Sequence, residues 1–147
     1  MMKLVLAFVV AVLAAYMAGS ILATQFILAN VSAMGMDVTA GVRLDSTLHD
    51  LAGLSRSYLP IIAVALLIAL LTASGLARLL PNQRLFLYVL AGAVGIVAIH
   101  LIMKAVLGLS GIAATRTAAG LLCQGLAGAL GGYVFYRLRR MAQGEAY

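Results

Sequence analysis

Residues Tyr58–Leu107 read YLPIIAVALLIALLTASGLARLLPNQRLFLYVLAGAVGIVAIHLIMKAVL. Two apolar runs, Tyr58–Leu80 and Leu85–Leu107, flank Pro81-Asn82-Gln83-Arg84. Wound as a helix, each run covers the roughly 30 Å of a bilayer's hydrocarbon core. The interruption between them has room only for a tight turn. The stretch is therefore expected to be an antiparallel transmembrane hairpin. Pro60 falls in the first turn of its helix, where a missing N–H costs nothing.

Two further runs of spanning length lie outside the hairpin, Leu4–Ala29 and Ile112–Tyr136. Gly108–Gly111 makes a second short turn, and residues 137–147 form a tail. The one long connection is 31–57. Within it Leu44, Leu48, Leu51 and Tyr58 recur near helical spacing beside Asp45, His49 and Asp50. That pattern predicts a short amphipathic helix lying at the membrane interface. The expected fold is an all-α integral membrane protein. It is a single domain, a four-helix transmembrane bundle with a short interfacial helix in the first outer loop.

Composition supports this reading. Of 147 residues, 65% are hydrophobic and 10% charged, and mean hydropathy is +1.12. A soluble domain carries about twice that charge fraction. The net charge of +6 does not indicate nucleic acid, because the basic residues fall at span ends rather than on one solvated face. Cys123 stands alone in the last span, which excludes an intrachain disulfide and paired-thiol chemistry. The start, Lys3 followed by an apolar run and then Ala18-Gly19-Ser20, has the outline of a secretory leader. The run continues to Ala29, about 39 Å of helix, so it is read as a retained first span.

Lysine and arginine set the expected orientation. Lys3, Arg78, Arg84, Arg137, Arg139 and Arg140 share one side. Arg43 and Arg56 lie on the other, offset by Asp37, Asp45 and Asp50. The first side is expected to be cytoplasmic, with both termini there. The Ala, Leu, Gly and Arg bias suggests a bacterial inner membrane.

Two cations, Lys104 and Arg116, sit inside the predicted spans, and no acid does. Each is placed about 12 Å outward of the midplane, with His100 about 6 Å outward and Gln124 near the middle. At 100° per residue Arg116, Gly120, Gln124, Ala127 and Gly131 share a face of span four. His100 and Lys104 stack on span three, and Thr24 and Asn30 share a face of span one. Gln25 points the other way, which suggests a subunit contact. The glycines Gly125, Gly128, Gly131 and Gly132 read as close-packing residues in the inner half.

A charge in hydrocarbon needs a partner, water or a head group. Three readings follow for Lys104 and Arg116: snorkelling to head groups, pairing with Asp37, Asp45 or Asp50, or holding an anion. The third makes Arg116, Lys104, His100, Gln124, Thr24 and Asn30 the lining of an outward-facing ligand site. The chain is then expected to bind an anionic or amphipathic small molecule or lipid, as a carrier or as a complex subunit. Membrane lipids, a second copy or a larger membrane complex are the expected partners, and nucleic acid is not. A rival reading is a small membrane enzyme using Asp45, His49 and Asp50 with Ser46 and Ser55. Another is an accessory subunit without a ligand. No cofactor is expected, since a b-type haem wants two axial histidines and only His49 and His100 exist. No metal-ligand spacing is evident either.

Overall fold

The computed structural model describes residues 2–108 and 112–144. These form five α-helices: α1 (Met2–Ala33), α2 (Ala40–Gly53), α3 (Tyr58–Leu79), α4 (Arg84–Leu107) and α5 (Ala118–Ala142). Two 3₁₀ turns, Pro81–Gln83 and Ala113–Arg116, precede α4 and α5, and no strand occurs among the described residues. Helices α1, α3, α4 and α5 are each long and apolar enough to cross a membrane.

These four pack as an up-down-up-down bundle. Helix α5 packs along α1 and α4, while α3 packs mainly on α4 and more lightly on α1; α3 and α5 lie across the diagonal. The start of α1, the end of α3, the start of α4 and the end of α5 therefore share one end, here the terminal end. The opposite, loop end carries the rest of α1, all of α2 and the turn before α5.

Glycine determines how closely the helices approach. A Cβ on Gly92 or Gly128 would run into the other residue's carbonyl oxygen, and one on Gly132 into that of Tyr88. At this crossing α4 and α5 touch backbone to backbone, as small-residue faces permit. On the α1 side a Cβ on Gly131 would lie 2.9 Å from Ala15 Cβ and 3.1 Å from the Ala11 carbonyl oxygen. Around these contacts Ile62, Leu66, Leu70, Ile96 and Phe135 fill a buried core.

The fourth span begins later than expected. Ile112 is extended (φ −133°, ψ 137°), a 3₁₀ turn covers Ala113–Arg116, and α5 opens at Ala118. Thr117 caps it, its hydroxyl oxygen accepting the Gly120 N–H at 3.1 Å. The apolar run from Ile112 extends a hydropathy count without being helical. Arg116 is thus on the turn and not on the α5 face that carries Gln124. At the other end α5 continues to Ala142, so Arg137, Arg139 and Arg140 are helical and the tail starts later. The other parts of the expected turn and tail, 109–111 and 145–147, lie outside the described residues.

Helix α2 forms where the amphipathic spacing predicts it, with Thr39 capping the Val42 N–H at 3.3 Å. It runs back antiparallel along α1. Arg43 and Thr47 both bond Gln25, Asp50 bonds Thr24, and the Leu51 carbonyl accepts from Tyr16 Oη at 2.5 Å. The polar side of α2 therefore makes the contact, with Leu51 and Leu54 packed beside it, while Leu44 and Leu48 remain exposed. Gln25, expected to face another subunit, is bonded within its own chain. It donates to Thr47 Oγ1 at 3.0 Å and accepts from the Arg43 guanidinium at 2.9 Å.

Candidate functional site

At the level where Gly19, Tyr58 and Gln124 meet, polar groups cross the bundle. Gln124 is fully buried, its Oε1 accepting from Tyr58 Oη at 2.6 Å and its Nε2 donating to the Gly19 carbonyl at 2.9 Å. One amide thereby links α5 to both α1 and α3. Gly19 leaves room for it, since a Cβ there would lie 2.8 Å from Gln124 Oε1. The Tyr58 ring stands edge-on to His100 at 5.7 Å and tilted to Tyr16 at 6.2 Å. His100 Nδ1 lies 2.8 Å from the Ile96 carbonyl, an acceptor. The proton is accordingly assigned to Nδ1, leaving Nε2 for another partner. The Ser20 hydroxyl is buried at this level without a partner among the described residues.

Beyond this layer, toward the loop end, His100, Lys104 and Arg116 line one cleft of about 220 Å³. Thr115, Thr117 and Ala118 line it too, so the cleft includes the amino end of α5, where free N–H groups and the helix dipole favour negative charge. No carboxylate is among its lining residues. Lys104 lies in the last turn of α4, and Gly108 in the left-handed conformation (φ 65°) turns the chain where the helix ends. Lys104 and Arg116 are exposed, whereas His100 is buried. Helix α2 lies along α1, and none of the acids expected to neutralise the pair is among the cleft's lining residues. Asp50 accepts from Thr24 Oγ1 at 2.6 Å, and Asp37 and Asp45 are exposed.

The six residues expected to line one site are thus distributed over four places. His100, Lys104 and Arg116 come together in the cleft. Gln124 bonds across the bundle, Thr24 bonds Asp50 under α2, and Asn30 is exposed on the last turns of α1. In the alternative cluster Asp50 bonds Thr24, while Asp45 and His49, one turn apart on α2, are exposed. No three His, Cys, Asp or Glu side chains are grouped to hold a metal ion among the described residues.

The terminal end has a second polar cleft, about 300 Å³ in volume, that sequence reasoning missed. It lies between the ends of α3 and α5 and the start of α4, and includes Arg78, Arg84, Arg139 and Arg140. The sequence carries the signal, four arginines at three helix ends, but the orientation rule accounts for them without a site. No family model, no curated protein and no solved structure matches the chain.

Proposed function

We propose that this chain is a multi-pass membrane protein that holds an anionic group of a small amphipathic molecule or lipid at its loop end. The supporting observation is the cleft in which Lys104, Arg116 and His100 meet the amino end of α5 with no carboxylate among them. Two cations and the amino end of a helix suit a carboxylate or phosphate. Arg116 and Lys104 supply charge and donors, and His100 Nε2, the acceptor nitrogen of this tautomer, can take a hydrogen bond only from a hydroxyl or protonated oxygen of the ligand. Under the positive-inside rule the terminal end is cytoplasmic and the cleft faces outward, in a bacterial inner membrane. Exposed Leu44 and Leu48 on α2 suit contact with the same outer leaflet. The reading is of a carrier or a complex subunit. Its oligomeric form no longer draws support from Gln25.

Native mass spectrometry of the gently extracted protein tests this. The expected result is a co-purifying anionic amphiphile that is lost in Lys104→Ala/Arg116→Ala, with helical circular dichroism unchanged. A wild-type protein that carries nothing, and whose Arg116→Ala form unfolds, would support a purely structural role instead. Orientation is checked separately: cysteines placed at exposed Arg56 and Arg137 should label from opposite sides of sealed vesicles.

A further inference from the structure

The terminal-end cleft differs from an ordinary collection of interfacial arginines. Arg78 lies in the last turn of α3, and Arg139 and Arg140 in the last turn of α5. Carbonyl ends attract cations, which accounts for those three. Arg84 is the exception, because it opens α4, where the dipole disfavours a cation, and no acid sits in that first turn. Arg139 is half-buried and held by neutral groups. Its Nη1 donates to Ser74 Oγ at 2.9 Å and to the Tyr88 hydroxyl, and its guanidinium lies 5.7 Å over the Tyr88 ring. Tyr88 is itself fixed against Phe135 and Tyr136. Arg139 is therefore pre-oriented, while most of its five N–H donors are not used by those bonds.

Four guanidinium groups from three helices surround about 300 Å³, with Ser74, Tyr88, Tyr136 and Gln143 adding polar atoms. No carboxylate is among the lining residues, and the only acid in the sequence after Asp50 is Glu145, which lies outside the described residues. One carboxylate offsets one of four charges. A phosphate group has the charge and the oxygen count for several bidentate guanidinium contacts at once. We infer that this cleft is a binding site for a phosphoryl group, independent of the loop-end site. Arg139 presents a fixed fork, and Arg78, Arg84 and Arg140 close around it. Beside the cleft, Leu76 and Leu87 begin an apolar groove of about 400 Å³ between α3 and α4. A phospholipid has a place there for its chains, and a soluble phosphate ester does not need one.

The test uses the Lys104→Gln/Arg116→Gln background, so that the loop-end cleft cannot contribute. In phosphatidylcholine nanodiscs, one arm adds phosphatidic acid to the bilayer and the other adds inorganic pyrophosphate to the solution. Native mass spectrometry counts adducts in both arms. One adduct is expected in at least one arm, and the arm that gives it identifies the source of the phosphate. Adding Arg84→Gln/Arg140→Gln should weaken it at least tenfold, and Arg84→Lys/Arg140→Lys by less. Both positions are at helix ends, so unchanged thermal unfolding is expected to show that the fold survives. Binding in neither arm overturns the inference, as does binding indifferent to the arginine changes. Binding that appears only after Glu145→Gln also overturns it, because the chain's own tail would then be the occupant.

Discussion

The two ends of the bundle both gather cations, and they hold them differently. At the terminal end Arg139 is fixed by two hydroxyls over an aromatic ring, in the half where glycine brings α4 and α5 into backbone contact. At the loop end Lys104 and Arg116 are exposed, on a helix end and a short turn. Arg139 is built into the packing, while Arg78 and Arg84 of its cluster, like Lys104 and Arg116, are exposed. Charge alone does not distinguish the two, but the neutral groups around each charge do. Substitution of Arg139 should therefore register in stability as well as in binding, and substitution of Lys104 or Arg116 in binding alone.

The largest expected effect breaks the terminal half itself. Gly128→Ala places a methyl against the Gly92 carbonyl, and overpacking of this kind costs about 1–3 kcal/mol or more. Gly75 on α3 has nothing within 4 Å of its would-be Cβ, so Gly75→Ala should instead stabilise by about 0.5–1 kcal/mol. Thermal unfolding in detergent measures both, and equal effects would refute the contrast in packing.

Next in size is the layer that joins the two halves. Tyr58→Phe removes the donor to Gln124 Oε1 and leaves a buried acceptor unsatisfied, at about 1–2 kcal/mol. Gln124→Leu removes the amide too, leaving the Tyr58 hydroxyl and the Gly19 carbonyl as the groups to be satisfied. The double variant should lose less than the sum of the singles, which a double-mutant cycle reads directly.

Arg139→Ala against Arg116→Ala compares the clusters themselves. The first loses hydrogen bonds to Ser74 and Tyr88 and should cost about 1 kcal/mol. The second should stay within about 0.5 kcal/mol, as for an exposed surface change. If Arg116→Ala proves the more damaging, the loop-end turn is structural and the comparison is reversed. Among the hydrogen-bonded sites the smallest effect belongs to Thr24→Val, about 0.5–1 kcal/mol, which releases Asp50. It should appear as faster amide exchange in α2 (Ala40–Gly53), with α3 and α4 unchanged.

The helices were largely legible in the sequence because apolar length and glycine spacing are one-dimensional signals. Gly125, Gly128, Gly131 and Gly132 announced the close contacts of α5, and the spacing of Leu44, Leu48 and Leu51 announced α2. Hydropathy was blind to the start of α5, since Ile112 and Ala113 are as apolar in a turn as in a helix. Thr117, a capping residue type, was the available clue. The partners of side chains were less legible. Helical spacing places Thr24 on one face of α1, but its meeting Asp50 depends on the register of α2 against α1. Arg139 meets Ser74 and Tyr88 only because three helix ends converge, and no spacing within one helix encodes that. His100, Lys104 and Arg116 were grouped by depth. Arg116 reaches their cleft from a turn that the depth count had taken for helix.

The unequal lengths of α1 and α3 have a consequence for the bilayer. Helix α3 has 22 residues, about 33 Å, and α1 has 32, about 48 Å. Gly19 is level with the start of α3, so about 21 Å of α1 continues beyond it, to Ala33. A thicker membrane finds no more helix on α3. On α1 it finds Thr24 and Gln25, already bonded to α2, and covering them with lipid means first peeling α2 away. In the proposed membrane setting hydrophobic mismatch would thus act on this molecule from one corner, and the α1–α2 hairpin would set the limit of membrane thickness it accepts.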